Sequence, residues 1–138
     1  MRIVLDTNVL ISALIKKGRP RELLLALVVK SSDHDIILRD ILEEFTRVAA
    51  DPKIQAYVSR GDVERFLRDI VAVAKIVRAR SKIKAVKEDP ADDIILGTCY
   101  DGKASHLVSG DSHLLKLGRF RRTRIVSVDE MLAILKEE

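Results

Sequence analysis

The sequence predicts an α/β fold, a mostly parallel sheet covered by helices on both sides, and three observations carry that prediction. Short apolar runs at Arg2 to Leu5, His34 to Leu38, His106 to Ser109 and Arg124 to Ser127 alternate with longer stretches of helical period. Breakers stand at the boundaries, at Gly18, Pro20, Pro52, Gly61 and Pro90. At 138 residues with 47% hydrophobic side chains, the chain can bury one core and is too short for two ordinary domains, so residues 1–138 are expected to form one domain.

Taken in order, Arg2 to Leu5 reads as a strand buried on both faces, followed by helical runs at Val9 to Ile15 and Glu22 to Val29 that Gly18 and Pro20 separate. His34 to Leu38 is a second short strand. A helix from about Asp40 to Ala50 stops before Pro52, and Gly61 precedes a long amphipathic helix from Asp62 to about Lys75. Between Val77 and Lys87 the charges on Arg78, Arg80, Lys82 and Lys84 alternate with small or apolar residues, the period of an extended strand with one basic face. A helix opens at Pro90 with Asp89 as its cap. Then come a strand at His106 to Ser109, a helix after Asp111, a strand at Arg124 to Ser127 and a closing helix from Asp129.

Composition narrows the chemistry. One cysteine, Cys99, excludes an intramolecular disulfide framework, and His34, His106 and His113 lack the spacing of a zinc motif, which fits a reducing cytoplasm. The uncharged stretches Thr7 to Ile15 and Leu23 to Val29 fall short of the roughly 20 residues of a membrane span. Asp6 and Asn8 interrupt any signal-peptide reading. A net charge of +4 and a pI near 9.3 suggest a polyanionic partner. The bases cluster: Arg78 to Lys84; Arg119, Arg121, Arg122 and Arg124 after Gly118; and Lys16, Lys17, Arg19 and Arg21 around Gly18. Solvated surface charge explains such clusters equally well one at a time. No aromatic interleaves with the densest basic stretch, so phosphate contact is the expected grip there, through Arg78, Arg80, Lys82 and Lys84.

The acids are the most informative residues. Asp6 closes the first strand and Asp111 the run ending Val108-Ser109-Gly110, both at carboxyl ends of strands, where open α/β sheets form their sites. In the helix holding Ile41, Leu42, Phe45, Val48 and Ala49 on one stripe, Glu44 falls at the stripe's edge and Glu43 faces water. Asp92 lies one turn before Ile95 and Leu96, over buried ground, whereas Asp93 is turned about 100° away. Each acid alone has a plain alternative as a helix cap or a surface residue. Together, Asp6, Glu44, Asp92 and Asp111 converge on one sheet edge, and buried carboxylates so placed call for a hard divalent cation, Mg²⁺ or Mn²⁺. Asn8 is expected to brace the loop carrying Asp6, and Ser109 to orient Asp111 or meet a phosphate.

These segments resemble a known family. Asp6-Thr7-Asn8-Val9-Leu10 after a strand, Glu44-Phe45-Thr46-Arg47-Val48, Asp89-Pro90-Ala91-Asp92 and Val108-Ser109-Gly110-Asp111 together look like the PIN-domain nucleases, and most like the prokaryotic VapC-like group of toxin components of toxin-antitoxin pairs. The resemblance implies a three-layer α/β/α sandwich with a central, mostly parallel sheet of about five strands. It places the family's acidic quartet on Asp6, Glu44, Asp92 and Asp111, as both catalytic residues and metal ligands, with Asp93, Ser109 and Asn8 as accessory candidates. Asp93 stays open as an alternative ligand to Asp92.

The activity implied is hydrolysis of RNA phosphodiester bonds by metal-activated water. The partners implied are an RNA substrate, an antitoxin protein and a second copy of the chain. A phosphatase of the haloacid dehalogenase type would need an acid where Asn8 stands, and a receiver domain an acidic pair that Asp6-Thr7 does not supply. The remaining rival is a non-catalytic nucleic-acid or partner-binding module on the same fold.

Overall fold

The computed structural model describes residues 1–40, 45, 47, 48, 50–78, 80 and 90–138. Strands β1 (Arg2–Leu5), β2 (Asp35–Arg39), β3 (Ala74–Val77), β4 (His106–Val108), β5 (Arg119–Phe120) and β6 (Thr123–Val126) form one six-stranded sheet in the order β3-β2-β1-β4-β6-β5. All neighbours are parallel except β5 and β6, which form an antiparallel hairpin at one edge. The helices are α1 (Thr7–Ile15), α2 (Arg19–Val29), α3 (Pro52–Gln55), α4 (Arg60–Val73), α5 (Pro90–Asp101), α6 (Ser112–Leu117) and α7 (Val128–Lys136). Phe45, Arg47 and Val48 are helical as well.

Strand alternation sorts the side chains into two cores. Ile3, Leu5, Ile36, Leu38, Val108 and Val126 pack with Leu10, Leu23, Leu27, Ile70 and Met131 on one face. Val4, Ile37, Leu107 and Ile125 pack with Ile95, Leu96, Cys99 and Leu114 on the other. Successive residues of a strand point to opposite faces, so an unbroken apolar run feeds two helical layers at once. The result is the expected α/β/α sandwich. Phe45 carries the helix after β2 into the first core, stacked on Phe66 of α4 with ring centres 6.0 Å apart.

The sheet order places a switch point between β1 and β4. From β1 the chain moves outward to β2 and β3, then returns to β4 on the other side and continues to β6. Helices leaving two adjacent strands in opposite directions open a crevice beyond their carboxyl ends. Leu5 pairs with Val108, so Asp6 and Ser109 emerge side by side, and the Asp6 N–H donates to the Val108 carbonyl at 3.0 Å.

Several boundaries differ from the sequence expectation. The long amphipathic helix ends at Val73, and Ala74–Val77, expected as its last turn and the start of the basic segment, instead pair with β2. The β-branched Ile76 and Val77 suit a strand once an edge of the sheet is there to receive them. Pro52 opens α3 as well as ending the preceding helix, with Asp51 capping it by accepting from the Lys53 N–H. Ser59 with Asp62, and Ser127 with Glu130, form capping boxes that start α4 and α7 ahead of the expected positions. No described helix is long and apolar enough to cross a membrane.

Candidate metal and catalytic site

Asp6 sits between β1 and α1 with extended backbone, φ −64° and ψ 147°, and makes no side-chain bond capping the helix. Its Oδ2 instead accepts from the Ser109 hydroxyl at 2.8 Å. The same hydroxyl accepts from the Asp111 N–H at 3.0 Å. Ser109 is fully buried, so one oxygen inside the sheet edge locks the two acid-bearing loops together.

Asp111 differs from Asp6 in being a true cap. Its Oδ1 accepts from the N–H groups of His113 at 2.8 Å and Leu114 at 3.3 Å, which start α6. That bonding orients one carboxylate oxygen and uses the positive end of the helix to support the charge. The plain reading of a cap therefore holds for Asp111 and fails for Asp6.

Asp92 enters from the first turn of α5 and is buried, with 5% of its surface exposed. It lies over Ile95, Leu96 and Cys99, as the helical spacing requires. Asp92, Asp111 and His113 each offer one ligand atom, and these atoms lie within 4.8 Å of one another. Asp93 is half-buried and stands outside that group, so helix phase separates the adjacent pair as expected.

His113, which joins this group, was not among the site residues expected from the sequence. It looked isolated because no second histidine stands at a metal-ligand spacing. The usable signal was its place two residues after Asp111, in the first turn of α6, where its Nδ1 lies 3.7 Å from Asp111 Oδ1.

Electrostatics mark the crevice as a poor place for bare negative charge. Burial pushes the Asp6 carboxyl above its ordinary range and the charge of Asp111 adds to that, while the Ser109 bond and the nearby N–H groups of Thr7 and Asn8 oppose it. Cys99 forms part of the apolar floor, and burial, reinforced by the charge of Asp6, pushes its thiol up to about 12. That thiol is a packing group without nucleophilic character at neutral pH.

The other expected residues divide three ways. Asn8 is exposed, and its side chain makes no hydrogen bond among the described residues, so Ser109, not Asn8, braces the Asp6 loop. In the first turn of α1 the Asn8 side chain projects away from the buried face that holds Val9 and Leu10. Glu44 lies outside the described residues, as do Glu43, Asp89, Lys82 and Lys84. Arg78 pairs with Asp40 at 2.9 Å, and the Arg80 N–H donates to Asp101 at 2.6 Å.

Comparison with known proteins bears on the family and the fold. A family model described as PIN domain matches residues 2–113. The chain belongs to the PIN domain family. Among individual proteins, this PIN domain is 27% identical over 120 residues to the uncharacterized protein MJ1680 of Methanocaldococcus jannaschii, covering 85% of this chain and 75% of that one. Its fold is similar to that in the crystal structure of VapBC2 from Rickettsia felis bound to a DNA fragment from their promoter. The TM-score is 0.64 at 17% identity, covering 92% of this chain and 98% of that one.

Proposed function

We propose that this PIN domain is a divalent-metal-dependent ribonuclease, acting in the cytoplasm as the toxin of a toxin-antitoxin pair. The observation that carries the reading is the junction at Ser109. One buried hydroxyl holds Asp6 and Asp111 together at the switch point of the sheet, and Asp92 and His113 close on Asp111 from two helices.

The donor set fits a hard cation. Carboxylates predominate, and Asp6 occupies a place that disfavours its negative charge, a penalty that a cation reverses. Asp6, Asp92 and Asp111 would hold Mg²⁺ or Mn²⁺, with His113 at the exposed side of the site. The cation would supply activation of water and charge neutralisation at the scissile phosphate.

The chain's own residues do the rest. Ser109 fixes the spacing of two ligands, which a loop alone would leave free to separate. Glu44 is assigned to the water-binding side of the site, by resemblance to the family's acidic quartet. Arg78, Arg80, Lys82 and Lys84 would hold the RNA backbone, in which case lost contacts weaken all sequences alike. The antitoxin partner is inferred from the resemblance to the VapC-like group and from the fold likeness to VapBC2.

The test is cleavage of single-stranded RNA with Mn²⁺, comparing the parent with Asp6→Asn and Asp111→Asn. Each substitution should lower the rate by on the order of 10³-fold or more while the protein stays folded. Equal rates in parent and variants would leave the non-catalytic binding module as the better account.

A further inference from the structure

We propose that the amino edge of the sheet carries a second nucleic-acid site, a cradle for single-stranded RNA formed by Tyr100, Lys103, Phe120, Arg121 and Arg122. The choice of RNA as the polymer rests on the ribonuclease reading above. The cradle itself is built from residues that the reading does not use.

Between the end of α5 and the β5–β6 turn lies a cavity of about 660 Å³ whose lining includes these five residues, a size that accommodates a small ligand such as a nucleotide. The Arg121 guanidinium carbon stands 4.4 Å from the ring centre of Tyr100 and 5.4 Å from that of Phe120. Half of Tyr100 remains exposed. A flat cation braced on two aromatic rings is a surface on which a base can stack, with Lys103 and Arg122 beside it for phosphate.

The arrangement is unfavourable for the empty fold. Lys103 and Arg121 both adopt φ 53°, the left-handed region, where nearby Gly118 at φ 68° shows the residue normally found. Arg119 lies directly opposite Arg124 in the β5–β6 ladder, a like-charge pair. The field is felt next door: burial, then the charges of Arg124 and Arg119 among others, hold the His106 imidazole below its ordinary range. Among the described residues, the acid on the cavity wall is Asp101, which accepts the Arg80 N–H. Among the described residues, none of Lys103, Arg119, Arg121, Arg122 and Arg124 enters a salt bridge.

Charge on an edge strand also discourages pairing with other sheets, and that accounts for Arg119. It does not account for Arg121 laid across two rings or for Lys103 on a different loop. An acidic peptide would satisfy the cations but make no use of the ring faces. The cradle and the carboxylates lie at opposite ends of β4, which spans only three residues, about 10 Å at 3.3 Å per residue.

The decisive experiment measures binding of a labelled oligouridylate of about 8 nucleotides to the full chain carrying Asp6→Asn, in EDTA, so that cleavage does not enter. Lys103→Gly with Arg121→Gly removes two cations and relieves both left-handed positions, so the melting temperature should be equal or higher. RNA affinity should fall at least about tenfold at low salt, and the salt slope should drop by about 0.7 per lost phosphate contact. Unchanged affinity overturns the proposal. Should the double variant melt early, Arg122→Ser decides, weakened binding supporting the cradle and unchanged binding overturning it. If an oligoglutamate peptide binds in a way these variants abolish while RNA binding is untouched, the surface is a protein dock and the proposal is overturned. Absence of Mn²⁺-dependent cleavage by the unsubstituted chain, with RNA binding still lost in the variants, would sink the ribonuclease reading and leave the cradle standing.

Discussion

Two like-charge clusters stand at opposite edges of the same sheet, acidic at the carboxyl ends of β1 and β4 and basic at the β5–β6 hairpin, and they handle crowding in different ways. At the carboxyl edge, Asp6 and Asp111 are drawn together by a buried hydroxyl, and helix α6 donates N–H groups to one of them. At the amino edge, Arg119 and Arg124 face each other with no comparable bridge, and Arg121 is held by aromatic faces instead. The first edge is preorganised, since its acids keep their positions through hydrogen bonds from groups that do not titrate. The second is a soft, solvated surface whose repulsion salt can screen. A crowded acid that is buried stores more electrostatic cost than a crowded base that is exposed, so the two edges should respond differently to substitution.

Ser109→Ala should give the largest effect. It leaves Asp6 Oδ2 and the Asp111 N–H without their buried partner, at a cost of about 1–3 kcal/mol in stability. Metal-dependent activity should fall by roughly 10–100-fold as the ligand spacing loosens. Denaturant unfolding and a Mn²⁺ titration measure the two. A silent Ser109→Ala would show that the acids are positioned by their backbones alone.

A smaller effect is expected from Asp6→Asn in EDTA, followed as melting temperature against pH. Because the Asp6 pKa is raised above its ordinary value of 3.8, the group's favourable contribution is full below that value and is lost as pH rises through the higher folded-state value. The variant should therefore melt with the parent near pH 4 and above it at pH 7. A gap that closed as pH rose would reverse the sign and place Asp6 in a favourable electrostatic environment.

The smallest effect belongs to the amino edge. Arg124→Ser removes the like-charge pair with Arg119 and should stabilise the chain by about 0.2–1 kcal/mol at low ionic strength, with the gain vanishing toward 1 M salt. Unfolding at two salt concentrations checks it. Loss of stability at both would mean that Arg124 contributes through packing of its stem.

The sequence by itself determined the layered architecture, and it singled out Asp6, Asp92 and Asp111 as candidates. Unbroken apolar runs such as Ile3-Val4-Leu5 must bury both faces, and alternation with helical periods leaves few arrangements besides a covered parallel sheet. The separation of Asp92 from Asp93 was likewise legible, because a turn of 100° per residue is a local property of the helix. Tertiary structure decided what depends on partners distant in the chain. Residues 74–77 became a strand only because β2 offered an edge, and the helical period of the preceding residues carried no trace of that. Ser109 became the bridge between Asp6 and Asp111, in place of Asn8, only through the register that sets Leu5 beside Val108. Asp92 met Asp111 and His113, and Arg121 met Tyr100, across folds of the chain that no local spacing encodes. Periodicity reports which side of an element is buried, whereas which side chains meet there depends on the pairing of strands, a long-range interaction that the pattern of a single segment cannot specify.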